Sequence, residues 1–227
     1  MKFQKQLALK ILDSHRLDNK KIKPLGDKAI TAIKTMRSNL EKKGFSDITN
    51  KYLDTNITID LISNFEKKIN ENVKYFYNGK PKITAEELFH IIQLWGGGEG
   101  RYIYVRGNGF AENFNLESYK NLINASFYSN RIEKLFLKIQ EFNSLNKYIN
   151  IAFITKHTRF LTSYNKTFAG LPIYDSEMSK NFMKEEKPQM KDLKEYWRGM
   201  IEIAKECEIS LLELERVLFN HARENSD

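Results

Sequence analysis

The chain has 227 residues, 41% hydrophobic and 12% aromatic, enough for one large core or two closely packed lobes. No apolar run approaches the roughly 20 residues of a membrane span, and the opening MKFQKQLALKILDSHR, broken by Lys10 and Asp13, reads as an amphipathic helix and not a signal peptide. A single cysteine, Cys207, excludes an internal disulfide and a cysteine-based zinc site, so a reducing, cytoplasmic setting is expected. Lys and Arg number 37 against 29 Asp and Glu, a formal charge of +8. That excess attracts polyanions such as nucleic acid, but it fits a lysine-rich solvated surface equally well.

In chain order, Leu7, Ile11 and Leu12 recur at helical spacing, as do Ala29, Ile30, Ile33 and Met36, with Pro24 and Gly26 between the two helices. A third helix is predicted from Thr58 to Asn72, with Leu61, Ile62 and Phe65 inward and a turn-rich connector over Tyr75–Pro81. Thr84 followed by Glu87 has the form of a capping box and opens a helix that Gly96-Gly97-Gly98 must end. Arg101–Arg106 alternates and is rich in β-favouring residues, which permits one short strand. Helices are predicted over Leu116–Ala125, over Arg131–Phe142 and from about Thr155 to Ser163. Another opens after Asp175, and an amphipathic pair fills 191–223. The expected fold is all-α or nearly so, one integrated domain whose residues 1–85 form an N-terminal lobe and 86–227 a second lobe.

The chemistry-bearing stretch is Ile154-Thr155-Lys156-His157-Thr158-Arg159-Phe160-Leu161, followed by Leu171-Pro172-Ile173-Tyr174-Asp175-Ser176. A lysine at a helix start, with His157 beside it and Arg159 one turn on, has two causes for a lowered pKa: the helix dipole and neighbouring cations. A neutral amine can attack a sugar carbon. Asp175, nineteen residues later, opens the next helix. There it accepts amide hydrogen bonds and stays ionised, ready to steady positive charge.

This pair resembles the helix-hairpin-helix DNA glycosylases, in particular the 8-oxoguanine glycosylase branch. In that family a lysine begins the second hairpin helix, and a Pro-Val-Asp segment then brings an aspartate to the next helix start. Lys156 matches the lysine, and Pro172-Ile173-Tyr174-Asp175 matches the aspartate segment with one extra residue. Trp95–Gly98 is similar to a Trp-Gly-Gly tract of bacterial proteins with that fold, and Ser210–Phe219 to their closing helix. The chain departs from the family at the hairpin. Where the family carries Gly-x-Gly, with backbone amides on a DNA phosphate, residues Lys147–Ile154 contain no glycine.

The resemblance implies a two-lobed helical bundle that acts as a monomer on double-stranded DNA without a cofactor. It assigns Lys156 as nucleophile at the anomeric carbon of a flipped-out nucleotide and Asp175 as its assistant. Phosphates would be held by Lys147, Asn150, Thr155, His157, Arg159 and Lys180, and the base pocket would lie near Trp95, Arg101 and Tyr102. The substrate the resemblance implies is an oxidised purine such as 8-oxoguanine. Alternatively it is a bulky modified phage base such as glucosylated hydroxymethylcytosine, which would make the protein an antiviral defence enzyme. The four histidines lack metal-ligand spacing, so no catalytic metal is expected. Two readings from other classes stand beside this one: a non-catalytic DNA-binding module, and a helical adaptor whose basic charge reflects composition alone.

Overall fold

Four short polar side chains decide where helices begin. The Thr84 hydroxyl accepts from the Glu87 amide (3.1 Å) while the Glu87 carboxylate accepts from the Thr84 amide (2.8 Å), a reciprocal capping box. Asn115 accepts from the amide of Ser118 (2.8 Å), Asn150 from that of Phe153 (3.1 Å), and Asp175 from that of Met178 (3.1 Å). The structure, a computed structural model, describes residues 3–18, 38, 41, 59–95, 114–146 and 149–224. It is all-α, with no strand among the described residues. The helices are α1 (Lys5–Asp18), α2 (Ile59–Tyr77), α3 (Ala85–Trp95), α4 (Leu116–Tyr128), α5 (Ile132–Leu145) and α6 (Ile151–Leu161). A single turn, α7 (Ser176–Met178), runs into a π-turn (Ser179–Met183) before α8 (Leu193–Glu206) and α9 (Leu211–Glu224). The predicted helix around Ala29–Met36, the three glycines and the candidate strand at Arg101–Arg106 lie outside the described residues, as do the side chains of Leu61, Ile62 and Phe65.

Two boundaries differ from the sequence reading. Helix α2 runs on through Tyr75-Phe76-Tyr77, which the sequence suggested was connector. Its end is a Schellman cap: the Gly79 amide donates to the Phe76 carbonyl (3.0 Å) and the Lys80 amide to that of Tyr75 (2.9 Å). This closure needs a left-handed residue, and Gly79 (φ +68°) supplies it. Helix α6 begins at Ile151, four residues before the expected Thr155, because Asn150 caps it.

The helices share one apolar cluster that extends from Phe3 to Ala222. Helices α4 and α5 pack on each other across a short turn, α1 lies on α8 and α9, and α6 touches α2, α3, α4 and α5. Central placement shows in its burial: from Phe153 to Leu161 every residue of α6 is buried except Lys156. The start of the described chain is fastened to α8, where the Phe3 amide donates to the Glu195 carboxylate (2.9 Å) and the Phe3 ring lies against Gly199. A Cβ at position 199 would overlap that ring. Gly199→Ala is expected to cost about 1–3 kcal/mol, as overpacking in a fitted core does, and urea unfolding should report the loss.

Candidate functional site

A helix buried nearly all round is ordinarily apolar, yet α6 carries Thr155, His157, Thr158 and Arg159 inside. Each has partners. The Thr158 hydroxyl donates to the Thr155 carbonyl (3.0 Å). His157 lies between the Tyr119 hydroxyl (2.9 Å from Nδ1) and the Gln93 amide (3.2 Å from Nε2), with its ring stacked on Phe89 at 4.7 Å. One ring nitrogen of a neutral imidazole donates and the other accepts, so the pair of contacts suits the uncharged ring. Arg159 donates from Nε to Glu215 (2.8 Å) and from a terminal nitrogen to Glu66 (2.9 Å), joining α6 to α9 and α2.

The sequence reading assigned phosphate contacts to Thr155, His157 and Arg159, and the structure corrects all three. Thr155 and His157 have no exposed surface, and the charge of Arg159 is taken up by two carboxylates. Asn150 and Lys180 are exposed. Asn150 spends its side-chain oxygen on the helix cap, and Lys180 lies 3.9 Å from Glu186. Arg101, Tyr102 and Lys147 lie outside the described residues. Trp95 is half-buried, edge-on to Phe160 at 4.9 Å and faced by the Arg159 guanidinium at 5.2 Å. Phe114 packs on Phe89 at 4.3 Å, against the core.

Burial makes protonation of the interior histidines unfavourable. His157 is held down at about 3 by burial, then by the charge of Lys156 and by His90; burial likewise lowers His90 to about 4, against an ordinary 6.5. The unfolded chain takes up both protons near pH 6.5 while the native one stays neutral. Stability therefore falls as pH drops below about 6.5, by about 1.4 kcal/mol per pH unit for each histidine. Urea unfolding at pH 7, 6 and 5 should show this slope, reduced by about half in His157→Gln. An unchanged slope in that variant would contradict the assignment.

The segment leading to Asp175 is extended, without a ladder of its own, and side chains from three helices hold it. The Leu171 amide donates to the Thr162 hydroxyl (2.9 Å), that of Ile173 to Glu215 (2.6 Å) and that of Tyr174 to the Thr155 hydroxyl (3.0 Å). The Pro172 carbonyl accepts from the Trp197 indole (2.8 Å) and the Ile173 carbonyl from the Tyr196 hydroxyl (2.8 Å). Buried backbone groups need such partners, and here they come from α8, α9 and the region of α6. The bond from Tyr174 to Thr155 joins the neighbours of Asp175 and Lys156, and so sets the register of the two chains at the pair.

Burial pushes the Asp175 carboxyl above its ordinary value of 3.8, while the Met178 amide and the nearby charge of Lys156 pull it down. It was expected to remain readily ionised as a helix cap; the cap is present, but burial outweighs it. The two causes expected to activate Lys156 are also absent. Its helix begins five residues upstream, and Arg159 is neutralised. What does surround the amine is the Phe153 ring, with Nζ 4.2 Å from its centroid, and the Asp175 carboxyl within electrostatic reach.

The hairpin between α5 and α6 is organised without glycine. Buried Asn146 donates to the Phe142 carbonyl (2.7 Å) and the Ser118 hydroxyl (3.1 Å) and accepts from the Asn115 amide (2.8 Å). The Ile149 amide is used within the turn, donating to the Asn146 carbonyl (3.2 Å). The amides of Ile149 and Phe153 are thus committed internally, which withdraws two donors from any phosphate there. Two surface grooves are lined by described residues, one between α1 and the end of α8, the other between α2, Tyr164 and α9; Lys156 and Asp175 line neither. No described helix is long and apolar enough to cross a membrane. Sequence reasoning gave no role to Glu215, Glu66, Tyr196 or Trp197. Glu215 carried a signal, since it stands on the apolar Leu211, Leu214, Leu218 face of α9, where an acid requires a buried partner.

Comparisons of the chain with protein-family models, with curated proteins and with solved structures return no match.

Proposed function

We propose that the chain is a helix-hairpin-helix-type DNA glycosylase with an AP-lyase step, a cytoplasmic monomer that excises a modified base flipped out of duplex DNA. The observation that carries this reading is the burial pattern of α6. Lys156 is the one residue between Phe153 and Leu161 that is not buried, and the half-buried carboxyl of Asp175 lies in its field. Cores do not need a lysine on a central helix, so an amine kept there within electrostatic reach of a carboxyl is a functional candidate.

The chemistry follows from the two groups. The ammonium of Lys156 must lose its proton before Nζ can attack, and a carboxyl whose proton affinity is raised by burial is a suitable acceptor. Nζ then bonds to the anomeric carbon as the carbon–base bond breaks, and the departing base takes the bonding electrons. Asp175 passes the proton it took from Lys156 to the departing base and, ionised again, offsets the positive charge that develops on the sugar. Opening of the sugar ring leaves a Schiff base, from which the strand can be cut. Lys180 and Asn150 are the exposed groups available to the DNA backbone.

The proposed substrate is an oxidised purine such as 8-oxoguanine or a bulky modified base such as glucosylated hydroxymethylcytosine. A panel of duplexes carrying oxidised, alkylated, deaminated and glucosylated bases tests this. Release of one of them by the wild-type protein, lost in Lys156→Ala, supports the reading. Duplex binding without release of any base would favour the non-catalytic module, and absence of binding at low salt the adaptor.

A further inference from the structure

Away from Lys156 and Asp175, beyond the C-terminal end of α6, three tyrosines meet at the surface. Tyr77, the last residue of α2, stacks on Tyr128, the last of α4, at 5.9 Å and 25°, and on Tyr164 at 5.8 Å and 26°. Tyr128 is 64% exposed, although burying such a ring is among the largest gains a fold can make. The arrangement is held from below. Tyr77 meets buried Phe127 edge-on at 5.6 Å, the Tyr164 hydroxyl donates to the Asn70 carbonyl (3.3 Å), and Asn165 donates to the carbonyls of Ser126 and Ser129 (2.9 Å each).

Cations flank each tyrosine in the chain: Lys74, Lys80 and Lys82 about Tyr77, Arg131 after Tyr128, and Lys166 after Tyr164. All five are exposed, and none forms an ion pair with a described residue. The runs 74–82, 126–131 and 162–170 contain no acid, and the acid whose charge reaches the Tyr164 hydroxyl is Glu71, one turn before Lys74 on α2. One lysine already pairs with a ring, since Lys82 Nζ lies 4.0 Å from the Tyr75 centroid and donates to its hydroxyl (2.8 Å). A solvated face of lysines explains the charge alone. It does not explain an exposed Tyr128 ring stacked on Tyr77, which stacks in turn on Tyr164.

We propose that this surface binds an unpaired nucleic acid strand, with bases stacked on Tyr128 and the phosphates met by the surrounding cations. Both components of such a site are present, a π-face for any base and a positive track for the backbone. A duplex keeps its bases stacked on each other and offers nothing to the ring. The surface therefore favours single strands over duplexes. This inference does not rest on the chemistry of Lys156.

The test is fluorescence anisotropy with labelled oligo-dT, a mixed-sequence duplex and polyglutamate as competitor, at several salt concentrations. The wild-type protein should bind oligo-dT more tightly than the duplex, and polyglutamate should compete poorly. Tyr128→Ala should weaken oligo-dT binding at least about fivefold. Lys80→Gln with Lys82→Gln should reduce the slope of log affinity against log salt by about 1.4. Both positions are exposed, and an unchanged thermal melt checks folding. Lys156→Ala should bind oligo-dT as the wild type does, which separates this surface from the proposed active site. Equal affinity for duplex and single strand, competition by polyglutamate as strong as by unlabelled oligo-dT, or an unaltered affinity in Tyr128→Ala would overturn the proposal.

Discussion

Asp175→Asn is expected to lower base release by about 10²–10³-fold, the usual cost of removing one charge-stabilising group from a preorganised site. The amide keeps an oxygen for the Met178 amide, so the cap and the start of α7 should persist. It cannot carry negative charge or accept the proton of Lys156. Duplex affinity should change little, because Asp175 is not a phosphate contact. The wild-type pH profile supplies a second check. Since burial raises the Asp175 carboxyl, activity that needs it ionised should fall on the acid side at a higher pH than an ordinary aspartate would set. In Asp175→Asn that limb should be missing from the residual rate. A variant with full activity, or one retaining the same acid limb, would remove Asp175 from the mechanism.

The second large effect is expected at a residue without any chemical role. Glu215 accepts from Arg159 with one oxygen and from the Ile173 amide with the other. Glu215→Ala would leave a buried guanidinium with Glu66 as its remaining described partner and a backbone amide with none. Removing one member of a buried ion pair costs about 3–5 kcal/mol, enough to consume much of a typical domain's stability. Glu215→Gln keeps one acceptor oxygen and so one of the two contacts, while its NH2 faces the other donor, and should cost less than the alanine. Because the lost bond fastens the chain two residues before Asp175, Glu215→Ala should also reduce base release by the protein that stays folded. Urea unfolding measures the stability, and single-turnover release measures the rate. A loss below about 1 kcal/mol would mean that the Arg159 cluster does not hold the segment.

Local signals in the sequence were read correctly where they were local in fact. The Thr84–Glu87 capping box is present with both bonds, and the paired C-terminal helices follow their 3.6-residue periodicity. Helix α6 starts ahead of Thr155 because Asn150 is a good cap residue and Ile151, Ala152 and Phe153, loop-like beside it in sequence, form its first turn. The end of α2 was missed because Tyr75-Phe76-Tyr77-Asn78-Gly79 resembles a turn cluster; only the cap at Gly79 shows that the aromatics are still helical.

At the site, the resemblance pointed to the Lys156 and Asp175 segments together, and the Tyr174–Thr155 bond joins them; the fate of their neighbours was not legible. Arg159 looks like a surface cation until Glu66 and Glu215, 93 and 56 residues away in the chain, are known to meet it. His157 looks solvent-facing until Tyr119 and Gln93 close around it. Polar residues on a central helix are placed by distant partners, and periodicity contains no record of them.

The Lys156 amine is the group proposed to react with sugar. Incubation with a duplex containing an abasic site, followed by borohydride reduction and peptide mass mapping, tests this most directly. The predicted result is a stable protein–DNA adduct on the peptide bearing Lys156, lost in Lys156→Ala and retained in Lys180→Ala. No adduct, or an equal yield in Lys156→Ala from another amine, would contradict it.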